Sequence, residues 1–114
     1  MDIRETISNV RQWGLDKGIT GAGGSGTLLG QLAKTQEELN ETRDAVMMQI
    51  NTSCDWPTGL IKDGIGDTAV TLILAAERAG TTFEECLDYA YTQIKNRTGR
   101  MIDGQFVKDE GRAE

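Results

Sequence analysis

The chain has 114 residues, which fits one domain better than two, and 38% of them are hydrophobic. Acidic residues outnumber basic ones by 18 to 12, and the net charge of -6 argues against a protein that binds a nucleic acid polymer, because that needs a basic patch. The absence of histidine excludes histidine-based catalytic triads and histidine zinc sites, while Cys54 and Cys86 have neither a metal-ligand spacing nor a disulfide framework. Because we find no signal-peptide core and no apolar stretch long enough for a membrane, we expect a reduced, cytoplasmic protein.

The first predicted helix covers residues 2–16, where apolar residues recur at helical spacing. Residues 18–27 follow as a flexible, glycine-rich loop. Gly21, Gly23 and Gly26 fit the pattern G-x-G-x-x-G, but that pattern binds a pyrophosphate only after a strand, and a helix precedes it here. We therefore predict a connector, with a mobile lid over a nearby site as the alternative.

A stripe of leucine, valine and isoleucine predicts a long second helix over residues 26–51. The segment 51–57 breaks the pattern, and there Asp55 is a candidate N-cap with Pro57 in the first turn of a third helix. The third helix runs to about Ala79. Its uncharged stretch TAVTLILAA predicts that this part of the helix is buried on all sides.

Thr82 and Glu85 form a capping box that predicts the start of a fourth helix. The apolar residues that recur on its predicted inner face are Phe83, Cys86, Leu87, Ala90 and Ile94. An Asp-Gly turn between apolar pairs predicts a short hairpin over residues 101–107, and residues 108–114 form a polar tail. The predicted fold is all-α, a four-helix bundle with a short C-terminal β-hairpin.

Two groups of acidic residues are the candidates for a functional site. Glu38 and Glu41 are three residues apart, with Glu37 beside them, and so share one face of the second helix. Asp63 and Asp67 share a face of the third helix, and Asp67 lies beside the apolar run, where an unpaired carboxylate is costly. If the two helices pack antiparallel, the groups face each other. Carboxylate ligands without nitrogen or sulfur indicate a hard cation, best Mg²⁺, whereas a solvated acidic face is the alternative.

Magnesium held by carboxylates commonly bridges to the phosphates of a substrate. The site therefore predicts attack of a metal-activated water on a phosphoryl group. Glu37 or Glu38 would hold the attacking water as a general base.

These residues resemble a known family. The sequence EELNE at 37–41, preceded by Lys34, resembles the E-E-x-x-E signature of the MazG-like, all-α nucleoside triphosphate pyrophosphohydrolases. Residues 63–80 resemble the family's second motif, E-x-x-D followed by an apolar helix, with Gly64 at the position of the glutamate. The first-helix segment RQWG and the C-terminal segment are also similar, so the resemblance covers nearly all of residues 1–114 as one domain.

The resemblance implies hydrolysis of a nucleoside or deoxynucleoside triphosphate to the monophosphate and pyrophosphate, with Mg²⁺ as cofactor and Mn²⁺ as a substitute. It implies that Glu38, Glu41 and Asp67 hold the Mg²⁺. Glu37 and Asp63 would hold a second metal or position the water.

The resemblance also implies that Lys34, Lys95 and Arg97 offset the charge of the triphosphate. Trp13 would stack on the base, with a place in the first-helix core as the alternative. For Lys95 and Arg97, the alternative is favourable placement at a helix C-terminus. The small core and the family both lead us to expect a homodimer or tetramer. Two other functions remain as alternatives: a non-catalytic acidic module that binds a protein partner, and a nucleotide-binding sensor.

Overall fold

The computed structural model of the protein describes residues 1–52 and 58–109, which form four α-helices followed by a two-stranded antiparallel hairpin. The elements in chain order are α1 (Ile3–Asp16), α2 (Leu28–Thr52), α3 (Thr58–Arg78), α4 (Phe83–Ile94), β1 (Gly99–Ile102) and β2 (Gln105–Lys108). The prediction of an all-α fold with four helices and a C-terminal hairpin is therefore confirmed. The predicted caps Asp55 and Pro57 lie outside the described residues. None of the described helices is both long enough and apolar enough to cross a membrane.

Side-chain caps fix where the first two helices begin. The carboxylate of Asp2 accepts a hydrogen bond of 2.9 Å from the backbone N–H of Arg4, so α1 starts at Ile3. The hydroxyl of Thr27 accepts one of 2.9 Å from the N–H of Gly30, so α2 starts just after the glycine-rich loop.

Helices α2 and α3 pack against each other in antiparallel orientation. The hydroxyls of Thr35 and Thr71 lie 2.6 Å apart, and seven residues further along α2 the side chain of Thr42 lies against Gly64, seven residues earlier in α3. Gly64 is buried, and a Cβ atom there would collide with the Thr42 side chain. Its place in the helix is thus explained by a close approach of the two helices.

The core of residues 1–83, the first of two compact units, centres on the second half of α3. Within the described part of the chain, the buried hydrophobic residues are Ile7 from α1, Ala45 from α2, and Ile73, Leu74, Ala75 and Ala76 from α3. The prediction that this stretch of α3 is buried on all sides is wrong at Leu72, which is 37% exposed. A run of uncharged residues can be buried at little cost in free energy, but each residue is buried only where another part of the protein packs against it.

The second unit, residues 84–114, contains most of α4 and the hairpin. No residue of α4 is buried, so the described residues do not form a core on the apolar face predicted for this helix. The hairpin is as predicted: Asp103 and Gly104 have φ of 50° and 81°, the left-handed values of a two-residue turn of type I′. Lys108 of β2 pairs with Gly99 of β1, so the polar tail begins later than predicted. Residues 110–114 lie outside the described part.

Candidate active site

Five acidic side chains line one cleft between α2 and α3. This acidic cleft has a volume of about 450 Å³, and its acidic lining residues are Glu38, Glu41, Asp44, Asp63 and Asp67. Four of them were predicted from the sequence, and the antiparallel packing of the two helices brings them to one cleft. Asp44 was not predicted, although it lies three residues after Glu41 and therefore on a neighbouring part of the same helix surface.

Glu38 is a largely buried carboxyl group of this cleft. Its side chain is only 12% exposed. Burial raises the pKa of Glu38, and the negative charges of Glu41 and Asp67 raise it further, against the opposing effect of Lys34. A group of carboxylates that repel one another in a partly buried cleft is stabilised by a cation placed among them. The donor set, oxygen only, fits Mg²⁺.

The carboxylates share a cleft without converging on a single point. Among residues 1–52 and 58–109, no three histidine, cysteine, aspartate or glutamate side chains are arranged to hold a metal ion. Glu41 and Asp67 are exposed, so their side chains are able to change rotamer on the picosecond to nanosecond timescale. Binding of a cation would therefore require these two side chains to turn toward Glu38.

Lys34 and Glu37 form an ion pair beside the cleft. The Lys34 Nζ atom lies 3.2 Å from Glu37 Oε1 and 3.9 Å from Glu38 Oε1. The hydrogen bond to Glu37 is the main reason that the pKa of Lys34 is raised. Glu37 itself is half-exposed and lines neither the acidic cleft nor the adjoining one.

A second cleft adjoins the acidic one and shares Glu38 and Asp67 with it. This mixed cleft, of about 610 Å³, combines an aromatic ring, aliphatic side chains and polar groups. Trp13 of α1 lines it and is 46% exposed, so this residue is not part of the first-helix core. Leu74 of α3 and Lys34 of α2 line other parts of it. An aromatic face suits a flat, apolar part of a ligand, whereas an anionic part beside Glu38 and Asp67 would need a cation between them.

The end of the glycine-rich loop also lines the mixed cleft, through Ser25, Gly26 and Thr27. The loop is held by Arg78, which donates three hydrogen bonds to its carbonyl groups. No sequence signal indicated this contact, because it joins residues more than 50 positions apart and a basic residue in the last turn of a helix is common anyway. The predicted flexibility of residues 18–27 stays a prediction.

The two other predicted phosphate-binding residues lie past the end of α4, in the second unit. The backbone N–H of Lys95 donates to the carbonyl of Tyr91 at 2.9 Å, and that of Arg97 donates to Ile94 at 2.9 Å. Both residues thus belong to the turn that ends the helix. Their contact with a triphosphate stays a prediction.

Gly64 gives a physical reason for the difference from the E-x-x-D motif. Any side chain at this position would start at a Cβ atom in collision with Thr42, so a glutamate does not fit unless α2 and α3 move apart. Asp63, one residue earlier, does line the acidic cleft.

The fold and the site together define an all-α protein with an acidic cleft beside a mixed one. No protein family, curated protein or solved structure was found to match the chain. The resemblance to the MazG-like pyrophosphohydrolases therefore stays a prediction.

Proposed function

We propose that the protein is a Mg²⁺-dependent pyrophosphohydrolase that converts a nucleoside or deoxynucleoside triphosphate to the monophosphate and pyrophosphate. The observation that carries the proposal is that Glu38 and Asp67 line both clefts. A ligand with its base in the mixed cleft would therefore have its phosphates beside the acidic cleft. The motif resemblance of residues 37–41 supports the same function.

The chain's own residues would divide the work as follows. Glu38, Glu41 and Asp67 would hold Mg²⁺, with Asp63 for a second ion. When bound, Mg²⁺ neutralises phosphate oxygens and lowers the pKa of a coordinated water. Lys34 would offset further phosphate charge.

A carboxylate would then accept the proton of the water that attacks the phosphoryl group, and the pyrophosphate would leave. Glu38 is one candidate for this role, because its carboxylate lines the cleft that would hold the phosphates. Glu37 is the other candidate, and its ion pair with Lys34 would have to open first.

The test is a screen of the eight common nucleotides with Mg²⁺ or Mn²⁺, with the monophosphate and pyrophosphate as measured products. We expect turnover of at least one nucleotide, and a rise in melting temperature with Mg²⁺, because a ligand of the native state stabilises it. Glu38→Gln and Glu41→Gln should each lower kcat by at least about 100-fold. Glu5→Gln is the matched control, since Glu5 is an exposed acid of α1 that lines neither cleft.

Two results would contradict the proposal. Absence of turnover for all the nucleotides, modified ones included, would remove the enzymatic function. Full activity in both Glu38→Gln and Glu41→Gln would show that these residues do not hold the metal.

A nucleotide-binding sensor is the second candidate, and the contact between Gly64 and Thr42 favours it. Because a glutamate does not fit at position 64, the second motif has Asp63 in its place, one residue earlier and with a shorter side chain. Nucleotide affinity measured by calorimetry, together with absence of turnover, would select the sensor over the enzyme.

Assembly into a homodimer or tetramer is the remaining part of the proposal. Leu32, Leu39 and Ile50 of α2 are 45%, 48% and 57% exposed. At about 100° per residue they lie at least about 100° around the helix from Glu38 and Glu41. This apolar face repeats in every copy, so two copies related by a two-fold axis would cover each other's exposed residues.

Light scattering coupled to gel filtration measures the assembly. We expect a mass of two or four chains, and a single-chain mass for Leu39→Glu, which places a charge in the face. A single-chain mass for the wild-type protein at micromolar concentration would contradict the assembly. It would then favour the non-catalytic module, in which the face binds another protein.

A further inference from the structure

One arginine holds the glycine-rich loop. The Arg78 Nε atom donates to the carbonyl of Gly26 at 2.6 Å, Nη1 to that of Gly21 at 2.9 Å, and Nη2 to that of Gly24 at 2.8 Å. Every nitrogen of the guanidinium group is thus used on loop carbonyls. The planar group offers these donors in fixed directions, which the single ammonium of lysine does not.

The glycines of the loop allow its carbonyls to converge on Arg78. Gly21 has φ of +85°, a backbone conformation that other residues rarely adopt. A Cβ atom at Gly26 would lie 2.6 Å from the carbonyl oxygen of Ile19, and one at Gly24 would collide with the backbone of Thr20. The loop therefore folds tightly on itself, and the guanidinium group binds three of its carbonyls, of which that of Gly21 also accepts from the N–H of Gly24.

The held loop forms a wall of the mixed cleft, whereas Arg78 does not line that cleft. Arg78 is also eleven residues after Asp67 in α3, a distance of about 16 Å along a helix. Loss of its hydrogen bonds would therefore change the shape of the wall near Trp13 and leave the carboxylates of the acidic cleft in place.

We propose that Arg78 is a positioning residue, which fixes the glycine-rich loop and so sets the affinity of the mixed cleft for the base end of a nucleotide. The proposal rests on the proposed function. In this arrangement the loop controls the affinity for the nucleotide, whereas the acidic cleft controls the rate of its hydrolysis.

The test uses Arg78→Gln and Arg78→Lys in the full chain. Arg4→Gln is the matched control, because Arg4 is an exposed arginine in the first turn of α1 and lines neither cleft. Amide hydrogen exchange reports on the loop through the N–H groups of Ser25 and Gly26, which bond to Gly18 and Ile19. Steady-state kinetics with the best nucleotide reports KM and kcat separately.

In both Arg78 variants we expect faster amide hydrogen exchange at Ser25 and Gly26. The exchange rates of the amides in α2 and α3 should stay at the wild-type values. The KM should rise at least about tenfold, equivalent to about 1.4 kcal/mol, while kcat changes much less. Arg78→Lys should not rescue KM, because one ammonium does not replace three directed donors. Arg4→Gln should match the wild type in all measurements.

Three results would overturn the inference. Exchange at Ser25 and Gly26 that stays at the wild-type rate would show that Arg78 does not hold the loop. Exchange that rises equally throughout α2 and α3 would show general destabilisation. Faster loop exchange with unchanged KM would show that the loop does not shape the cleft. Failure of the proposed function is a distinct result, namely no turnover by the wild type.

Discussion

Replacement of Gly64 with alanine tests how closely α2 and α3 approach each other. A Cβ atom at this position would lie 2.9 Å from Thr42 Cβ and 3.1 Å from Thr42 Cγ2, with Thr42 Oγ1 closer still. Forcing one extra carbon into such a contact costs about 1–3 kcal/mol. Against this loss, alanine in a helix interior is about 1 kcal/mol more favourable than glycine. The net loss in the free energy of unfolding should therefore be about 0–2 kcal/mol.

Gly66 provides the matched control, two residues further along the same helix. No atom lies within 4 Å of a Cβ atom built there, and the residue is exposed. Gly66→Ala should therefore raise the free energy of unfolding by about 0.5–1 kcal/mol. The difference between the two variants isolates the contact with Thr42, because both carry the same change of backbone freedom.

Urea unfolding followed by circular dichroism, at one protein concentration, measures both variants. In thermal unfolding, 1 kcal/mol corresponds to about 4 °C for a chain of this size. We expect Gly64→Ala to unfold at lower urea concentration than Gly66→Ala, and no more stably than the wild type. If the two variants are equally stabilised, the helices do not meet at Gly64 and the physical reason given for the missing glutamate is wrong.

Three other predictions concern charge, a buried hydrogen bond and the hairpin turn. Because folding raises the pKa of Glu38, the group costs no stability at a pH below its ordinary pKa; the cost grows as the pH rises from there to the folded pKa and is constant above it. Glu38→Gln should accordingly be more stable than the wild type at neutral pH and equal to it in acid, as measured by thermal unfolding across pH; equal stability at neutral pH would contradict the repulsion. Thr71→Val should cost about 0.5–1.5 kcal/mol by removing the contact between the two buried hydroxyls, because Thr35 still donates to the carbonyl of Gln31. The double variant Thr35→Val/Thr71→Val should lose less stability than the sum of the two single variants, and strictly additive losses would refute the pairing. Gly104→Ala should cost the hairpin about 1–2 kcal/mol of stability, because φ at this position is +81°. Asp103→Asn should leave the stability unchanged, because asparagine also adopts left-handed backbone angles. Proton NMR of the hairpin amides distinguishes an intact turn from an open one.

Local sequence signals predicted the elements well. Helical spacing of apolar residues placed α1 and α2 within two residues of their observed limits at each end. The Asp103-Gly104 turn predicted the hairpin, because both positions need left-handed backbone angles that few residue pairs accept. Such features depend on residues close in the chain, so the sequence contains them directly.

The acidic cleft was predictable for a related reason. Helical spacing puts Glu38 with Glu41, and Asp63 with Asp67, on single faces. The short break between α2 and α3 then favours antiparallel packing, which brings the faces together. The same helical spacing also indicates Asp44, which lies three residues after Glu41. It was not predicted because it lies outside the segment EELNE at 37–41.

Contacts between distant residues were not predictable. Two glycines of α3 look alike in the sequence, yet Gly64 lies against Thr42 and Gly66 faces open space. The apolar residues of α4 have helical spacing, yet none of them is buried in the described part of the chain.

By itself the sequence determined the helices, the hairpin turn and the faces on which the acids lie, since all of these follow from backbone geometry over a few residues. Only the tertiary structure decided that Arg78 holds the loop, that Trp13 lines a cleft and that Gly64 lies against Thr42. These depend on which surfaces meet, and the fit of one surface to another is a property of the whole packed chain.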